Sequence, residues 1–192
     1  MSGNTSATGG YLVPVTSTPD GPVFEDQVQA VIVGISGLAG PLVRPRWQED
    51  PPPQPSKTTT WCALGITNTT PDDNVVITHD PTDQGRDVLH RHEIVEMLAS
   101  FYGPERQVTA SRARDGLHVP QNREWMLVNN MGLVSADDVK SAPELVNGQW
   151  IERSDLVFVL RRRVERSYRV LNVLSAAGTV NNGEQPTPFR TE

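Results

Sequence analysis

Residues 156–174 of this 192-residue chain have the sequence LVFVLRRRVERSYRVLNVL, and this stretch decides the expected fold. It begins with five apolar residues, a pattern typical of a buried strand. Five arginines then follow within nine residues, at positions 161, 162, 163, 166 and 169. They are a third of all the arginines, although the formal net charge of the chain is −6. The stretch therefore predicts a strand that runs from an apolar core into a strongly basic end.

Alternation over residues 149–166 assigns the side chains of this strand to two different faces. One face carries Trp150, Leu156, Phe158, Leu160 and Val164. The other face carries Arg153, Asp155, Arg161, Arg163 and Glu165, together with Val157 and Val159. Opposite charges on one face favour cross-strand pairs, so we expect a charge lattice there.

Arg162 and Arg166 continue the apolar row beyond Leu160, where the core is expected to end. We therefore predict that this end of the strand projects from the domain. There it would meet another subunit or partner through Arg161, Arg162, Arg163 and Arg166, whose planar guanidinium groups pair well with carboxylates. A solvated strand end is the alternative interpretation.

An amphipathic helix is predicted in PDGPVFEDQVQAVIVGISGLAGP, residues 19–41. Pro22 suits the first helical turn, and Glu25 and Asp26 place negative charge at the positive end of the helix dipole. Its apolar residues follow the 3.6-residue period, at Phe24, Val28, Val31, Ile32, Ile35 and Leu38. Gly37, Gly40 and Pro41 are expected to end it.

Strands are expected at 42–47, 58–67, 75–78, 89–103, 132–139 and 149–166. The first is assigned to a sheet edge, because Pro45 cannot donate a ladder hydrogen bond. One central helix is opened by Pro104 and closed by Gly116, and a second runs from Pro120 to just before Gly132. Trp125, Val128 and Met131 form the predicted apolar stripe of the second helix. The order predicts an α+β fold with a mainly antiparallel sheet, an N-terminal helix, a central helix pair and extended arms.

Composition divides the chain into one domain and several extended segments. Residues 1–20 predict a flexible N-terminal arm, and residues 179–192 predict a flexible C-terminal tail. Residues 21–178 form the single predicted domain, which carries a proline-rich loop at 48–57. The sixteen prolines, fifteen glycines and 36% hydrophobic residues agree with a modest core and extended arms.

The sequence lacks the usual nucleotide-binding, metalloprotease and nucleophile-elbow motifs, so neither an enzyme activity nor a cofactor is predicted. Cys62 lies in the apolar segment TTWCALGI and is interpreted as a small buried hydrophobe. His90 and His92 share a strand face but have no obvious third metal ligand nearby. The segment DPTDQGRD (80–87) departs from the spacing of a calcium-binding loop and predicts a solvated turn.

The N-terminus lacks the features of a secretory signal, and no apolar run approaches the roughly 20 residues that cross a bilayer. A protein that begins in a cytoplasm is therefore expected. The acidic balance disfavours a role in coating nucleic acid, which depends on basic residues that neutralise phosphates. All basic residues except Lys57 and Lys140 are arginines. This skew favours interfaces with carboxylates, although high genomic GC content produces it as well.

Five blocks of the sequence form a recognisable pattern. They are SGNTSATGGYLVP (2–14), TTWCALGIT (59–67), RHEIVEMLASFYGP (91–104), RDGLHVPQNREWM (114–126) and APELVNGQWIERSDLVFVLRRRVERSYRVLNVLSA (142–176). Together they resemble the neck, or tail, terminator proteins of tailed bacteriophages and related prophages. The resemblance covers most of the chain and consists of structural blocks rather than catalytic motifs.

The resemblance implies a structural virion protein of the phage neck, assembled in the host bacterial cytoplasm. It implies a hexameric ring that caps the finished tail tube and joins it to the head connector. The implied partners are further copies of the chain, the tail tube protein and the head–tail connector protein, with the tail sheath as an additional candidate. DNA would pass through the channel without specific binding. The alternatives are another head–tail connector or tail-completion protein, a nucleic-acid-binding module and an unrecognised enzyme.

Overall fold

The computed structural model describes residues 3–146, 148–181 and 186–191. It contains the helices α1 (Pro22–Ser36), α2 (Arg106–His118) and α3 (Pro120–Val128), with a 3-10 turn at Gly40–Leu42. The strands are β1 (Thr16–Ser17), β2 (Val43–Pro45), β3 (Trp61–Pro71), β4 (Val76–Asp80), β5 (Arg86–Tyr102), β6 (Met131–Ala136), β7 (Lys140–Ser141), β8 (Glu144–Val146), β9 (Gln149–Ile151), β10 (Arg153–Tyr168), β11 (Ala176–Asn181) and β12 (Pro186–Thr191). The N-terminal helix, the central helix pair and the mostly antiparallel pairing confirm the predicted α+β fold.

The chain divides into two compact units. The larger unit contains Thr18–Val75 and Arg91–Val164. The smaller unit contains the residues up to Ser17, the segment Val76–His90 and the residues from Glu165 onward. β5 and β10 therefore contribute residues to both units. The larger unit lies almost wholly within residues 21–178, and the single domain expected there stays a prediction.

The sheet of the larger unit has the strand order β10-β5-β3-β2. β3 and β5 are antiparallel, with Cys62 opposite Phe101 and Leu64 opposite Ala99. β2 runs parallel to β3 at the sheet edge and ends at Pro45, as predicted for that proline. β6 and β7 both pair antiparallel with β10.

The core of the larger unit lies between the helices and one face of this sheet. α1 begins at Pro22 and ends just before Gly37, as its periodicity predicted. The buried cluster includes Phe24, Val28, Ile32, Val43, Cys62, Val95, Met97, Phe101, Leu117, Met126, Leu156, Phe158 and Leu160. Alternate residues of β5 from Val95 to Phe101 and of β10 from Leu156 to Leu160 point into this core, which is the physical basis of the apolar alternation there.

The central helix pair differs from its prediction in two details. α2 continues through Gly116 to His118, because Gly116 faces α1 rather than ending the helix. A Cβ atom at this position would lie 2.7 Å from the Cβ atom of Ile35, so only glycine permits this approach. The predicted stripe of α3 is also wrong, since Met126 is buried while Trp125 and Val128 are exposed. Met131 is buried, but it belongs to β6.

The strand predicted over residues 149–166 is two strands. β9 ends at Ile151 and pairs with β8 in a separate hairpin, and β10 begins at Arg153. Trp150 therefore does not share the apolar row of β10 and is exposed. The expected end of the core at Leu160 is also wrong, because Arg162 and Val164 are buried on the same face.

The smaller unit is built from backbone pairing. β4 pairs antiparallel with residues 86–90 of β5, and β1 pairs with β10 at Ser167 and Arg166. β11 pairs with β12 across the described residues where the sequence predicts a flexible tail. The flexible tail was predicted from composition, which shows that the segment has little apolar surface to bury. Composition does not exclude local backbone pairing. None of the smaller unit's residues whose exposure is described is buried.

Candidate assembly surfaces

Arg162 lies at the centre of a buried ionic cluster in the larger unit. Its Nε and Nη2 atoms donate hydrogen bonds to Glu93 Oε2 at 3.0 and 2.8 Å. Nη2 also pairs with Asp20, and Nη1 donates to the carbonyl oxygen of Pro19 at 3.0 Å. The guanidinium carbon lies 4.2 Å from the centroid of the Phe24 ring. With Arg162 only 6% exposed, the cluster exchanges its hydration for these contacts.

Glu93 joins a second arginine to this cluster. Arg91 Nη2 lies 2.7 Å from Glu93 Oε1, so both carboxylate oxygens are paired. Because Pro19 and Asp20 precede α1 directly, their contacts with Arg162 fix how the chain enters that helix. The last two residues of the predicted N-terminal arm are therefore attached to the larger unit.

The four arginines predicted to form an interface do not lie on one surface. Arg162 is buried and has its partners within the chain, whereas Arg161 and Arg163 are exposed. Arg161 Nη2 lies 3.5 Å from Asp72 Oδ2, in an ion pair that is about half exposed. Arg166 is half-buried and belongs to the smaller unit. Contacts of these arginines with another subunit stay a prediction.

The opposite face of the larger sheet carries a polar network around Asp155. Ser100 donates its hydroxyl to Asp155, and Arg46 donates to Ser100. Arg153 Nε lies 3.1 Å from Asp155 Oδ1, and its Nη1 lies 2.6 Å from Glu144 Oε2. Of the five charged members of the predicted lattice, Arg153 and Asp155 belong to this network, with Arg46 and Ser100 as members that alternation alone does not reveal. Arg161 pairs instead with Asp72, and Glu165 pairs with His90.

An aromatic cleft of about 340 Å³ opens beside the proline-rich loop. Its lining includes Pro55, Lys57, Trp61, Tyr102, Arg106, Trp150 and Glu152. Trp61 and Tyr102 are directly opposed on β3 and β5, and their rings stack with centroids 4.5 Å apart. Trp150 lies on β9 and is 69% exposed. The cleft therefore presents aromatic surface that the described part of the chain leaves partly uncovered.

Polar groups at the rim of the aromatic cleft are already paired. Arg106 Nη2 lies 2.5 Å from Glu152 Oε2. Lys57 Nζ donates a hydrogen bond to Gln149 Oε1 at 2.8 Å. The rim thus holds a neutralised ion pair and one hydrogen-bonded ammonium group around an aromatic floor. This combination suits an uncharged apolar side chain better than an ionic ligand.

A second exposed apolar surface, the α3 face, consists of Trp125, Leu127 and Val128. Val128 is 81% exposed, and only Met126 of this helix is buried. A helix that buries one residue while exposing three large apolar ones is typical of a contact surface. Trp125 and Val128, which the sequence predicted as part of the apolar stripe of this helix, are thus exposed to solvent.

The smaller unit carries a closed N-terminal loop between Ser6 and Val15. Both ends are attached to β10 and the segment after it, because Ser6 N–H donates to Arg169 O at 3.0 Å and Val15 N–H donates to Ser167 O at 2.8 Å. Asn4 Nδ2 donates to Tyr11 O at 3.1 Å across the loop. Tyr11 is 96% exposed. The loop therefore holds an aromatic side chain out in solvent.

The β4–β5 hairpin of the smaller unit is held by paired charges at its tip. Hydrogen bonds from Thr82, with a further contribution from Arg86, lower the pKa of Asp80 to about 2. Hydrogen bonds to Asp87 and then Asn172 raise the pKa of His79 above its ordinary value. His79 Nδ1 lies 2.7 Å from Asp87 Oδ1. Asp80 and Asp87 thus stabilise the turn that the sequence predicted, through hydrogen bonds within the hairpin.

The cysteine and the histidine that could take part in catalysis or metal binding have contacts typical of structural residues. Cys62 is fully buried, and burial raises the pKa of its thiol, so the predicted role as a small hydrophobe is confirmed. His90 contacts Thr78 and Glu165 in the smaller unit. The residues described by the structure contain no group of three metal-ligating side chains. None of the described helices is long and apolar enough to cross a membrane.

Sequence reasoning missed Glu93, Asp20 and the aromatic cleft. The signal for Glu93 was strand alternation, which places this carboxylate on the same face as Val95, Met97 and Phe101. The stacked pair of Trp61 and Tyr102 depends on strand register and had no local signal. Tyr11, in the arm, was passed over because its surroundings are polar and glycine-rich.

A family model described as phage neck terminator protein matches residues 23–184 of the chain. The match covers all three helices and β2 to β10. No curated protein matches the chain.

Proposed function

The chain belongs to the phage neck terminator family, and from this membership we propose that it forms a ring at the phage neck. The ring would end the tail tube and join it to the head connector. Its partners would be further copies of the chain, the tube protein and the connector protein, with the tail sheath as an additional candidate. Membership itself makes the chain a virion-associated protein that works with other neck or tail proteins.

The observation that carries the proposal is the length of the family match, which spans the larger unit from α1 to β10. Two exposed apolar surfaces of that unit support it further. A closed ring of identical subunits needs two different, complementary surfaces on each copy. The α3 face and the aromatic cleft are formed by different elements of one chain, and each offers exposed apolar area that a neighbouring subunit or the tube would cover. A hexamer is the proposed number of copies.

The proposed role requires neither a catalytic step nor a cofactor. DNA would pass through the ring without tight binding, because a chain of formal net charge −6 gains little from neutralising phosphates. The exposed guanidinium groups of Arg161 and Arg163 would contact a carboxylate on a neighbouring subunit or on the tube. Arg166 of the smaller unit would make a separate contact of the same kind, and buried Arg162 would hold β10 in position.

Deletion of the gene in its phage tests the terminator role. We expect electron micrographs to show filled heads beside detached tails or tails of irregular length, because the tube lacks its end cap. Expression of the wild-type chain in trans should restore attached tails of uniform length. Normal attached tails in the deletion would contradict the role. Tails of normal length beside leaking or empty heads would favour a connector role instead.

Purified protein tests the ring itself. Light scattering and electron microscopy should show a closed ring, either for the protein alone or after addition of isolated tail tubes. Arg161→Ala combined with Arg163→Ala should weaken ring formation or tube capping. Arg123→Ala, which also removes an exposed arginine from the larger unit, is the matched control. A protein that stays monomeric and ignores tubes would contradict the ring.

A further inference from the structure

We propose that the N-terminal loop of one copy inserts Tyr11 into the aromatic cleft of the neighbouring copy. The proposal rests on the proposed ring and names the contact that closes it. It assigns the loop and the cleft to the two complementary sides of one repeated, head-to-tail interface.

The loop has the properties of an anchor. Tyr11 is 96% exposed, although a tyrosine that serves only its own chain normally packs part of its ring. Tyrosine is enriched among the few residues that carry most of the binding energy of an interface. Val13 and Val15 are exposed as well, so the loop offers a short apolar row around the ring.

The loop is already ordered in the single chain, which lowers the entropic cost of docking. The Thr8 N–H donates to Thr5 O at 3.1 Å, and Thr8 Oγ1 accepts a hydrogen bond from Thr5 N–H at 2.9 Å. Gly9 and Gly10 both take positive φ angles directly before Tyr11. Together with the bond from Asn4 to Tyr11 O, these contacts fix the backbone that carries the tyrosine.

The cleft has the properties of a socket for one aromatic side chain. Its volume of about 340 Å³ lies near the lower end of the range for small ligand sites. Stacked Trp61 and Tyr102 and exposed Trp150 provide aromatic surfaces on which a tyrosine ring can pack edge-to-face or offset. Glu152 at the rim carries carboxylate oxygen atoms, and a tyrosine hydroxyl needs such an acceptor when it is buried.

The absence of charged side chains in the loop favours it over other occupants of the cleft. Residues 3–19 contain no charged side chain, whereas 21% of the whole chain is charged. At the cleft rim Arg106 and Glu152 neutralise each other, and the exposed ammonium group of Lys57, hydrogen-bonded to Gln149, needs no charged partner from the loop. An uncharged segment enters such a cleft without leaving a charge desolvated.

Crosslinking tests the contact directly. The chain carries Val13→Cys in the loop and Ser56→Cys at the cleft together, so Tyr11 and Trp150 stay in place, and it reacts with a short bismaleimide. Native Cys62 stays protected because it is buried. Head-to-tail docking should give a ladder of products larger than a dimer. Each single-cysteine variant can give at most a dimer, and we expect no such dimer. The reaction is run on the protein alone and on protein bound to tail tubes.

Absence of the ladder in both preparations overturns the proposal, and so does a fast-migrating product crosslinked within one chain. Electron microscopy of the same wild-type protein separates this result from the proposed function. Rings without a ladder retain the ring and reject this contact. A ladder without closed rings retains the contact and rejects the ring.

A mixing experiment tests the complementarity of the two sides. Tyr11→Ser and Trp150→Ser should each weaken self-association by about tenfold or more. Mixed together, the two variants should form dimers, because an intact loop from one then meets an intact cleft on the other. Val173→Ser and Trp47→Ser remove similarly exposed residues elsewhere and should associate like the wild type. Equal weakening by these controls, or a mixture that stays monomeric, overturns the proposal.

Discussion

The larger and the smaller unit are held together by different kinds of interaction. The larger unit has a continuous apolar core from α1 to β10 and a buried ionic cluster around Arg162. Among the described residues of the smaller unit, none is buried, and its segments are joined by backbone ladders and exposed polar contacts. Apolar burial is the main source of folding free energy, so the larger unit supplies most of the stability of the single chain.

This difference indicates that the two units have different roles, the larger in stability and the smaller in contacts with partners. A segment with few buried contacts opens at a low free energy and gains most from a partner that covers it. The smaller unit carries the exposed Tyr11 loop and the exposed apolar strand β4, which are surfaces of that kind. The larger unit supplies a rigid support with the aromatic cleft on it. Single substitutions in each unit test this contrast.

Phe158→Ala should lower the free energy of unfolding by about 3–5 kcal/mol, because it leaves a cavity in the centre of the core. Chemical denaturation followed by fluorescence measures the change. Val173→Ala in the smaller unit removes an exposed side chain and should change stability by less than about 0.5 kcal/mol. Similar losses for both variants would contradict the contrast between the units.

Arg162→Ala should lower the free energy of unfolding by about 3 kcal/mol, the low end for a broken buried ion pair. The low end applies because Glu93 keeps its contact with Arg91. Arg161→Ala removes the neighbouring, exposed arginine and should cost less than about 1 kcal/mol. Thermal unfolding compares the two variants. A larger loss of stability for Arg161→Ala than for Arg162→Ala would show that burial does not decide how much each arginine contributes.

Gly85→Ala should loosen the smaller unit by about 1–3 kcal/mol without a comparable effect on the larger one. Gly85 has a φ of +90°, and a Cβ atom there would lie 2.7 Å from the Asn172 backbone nitrogen. Hydrogen exchange should show faster exchange of the β4 amides. Gly34→Ala lies in α1 with open space around it and should stabilise the larger unit by up to about 1 kcal/mol. Uniform loss of protection across both units would refute the prediction.

The His79–Asp87 pair should make a small, pH-dependent contribution to the β4–β5 hairpin. Because the folded pKa of His79 is raised, this contribution is fully present below the ordinary pKa of about 6.5 and is lost as pH rises through the folded value. NMR titration should place the His79 midpoint above that of a free histidine. Asp87→Asn should lower the midpoint, whereas Asp83→Asn in the same turn should leave it unchanged. A His79 titration midpoint equal to that of a free histidine in the wild-type protein would contradict the prediction.

Local patterns predicted the elements of the larger unit well. The period of α1, its proline at the start and its glycine after the end act within single turns, and the structure has them where they were expected. The alternation predicted for β10 also held from Leu156 to Val164, since its inward residues are buried. Strand ends and loop segments were predicted less well, as the break before Arg153 and the exposure of Trp150 show.

The candidate surfaces were predicted only in part. The arginine segment was recognised as unusual, but its members were expected on one projecting end of the strand. Arg162 instead pairs with Glu93, 69 residues away in the sequence, and with Asp20, 142 residues away. Nothing within a few residues of Arg162 reports such partners, because they approach it only when β5 and α1 are in place.

The sequence by itself determined the α+β class, the start and end of α1, the inward face of β10 and the concentration of arginine at its end. These follow from side-chain periodicity and from the backbone limits of proline and glycine, which operate over a few residues. Only the tertiary structure decided that Arg162 is internal, that Trp61 stacks on Tyr102, and that Tyr11 and Trp150 are exposed. Those outcomes depend on strand register and on which distant groups share a buried space, where an unpaired charge is too costly to persist.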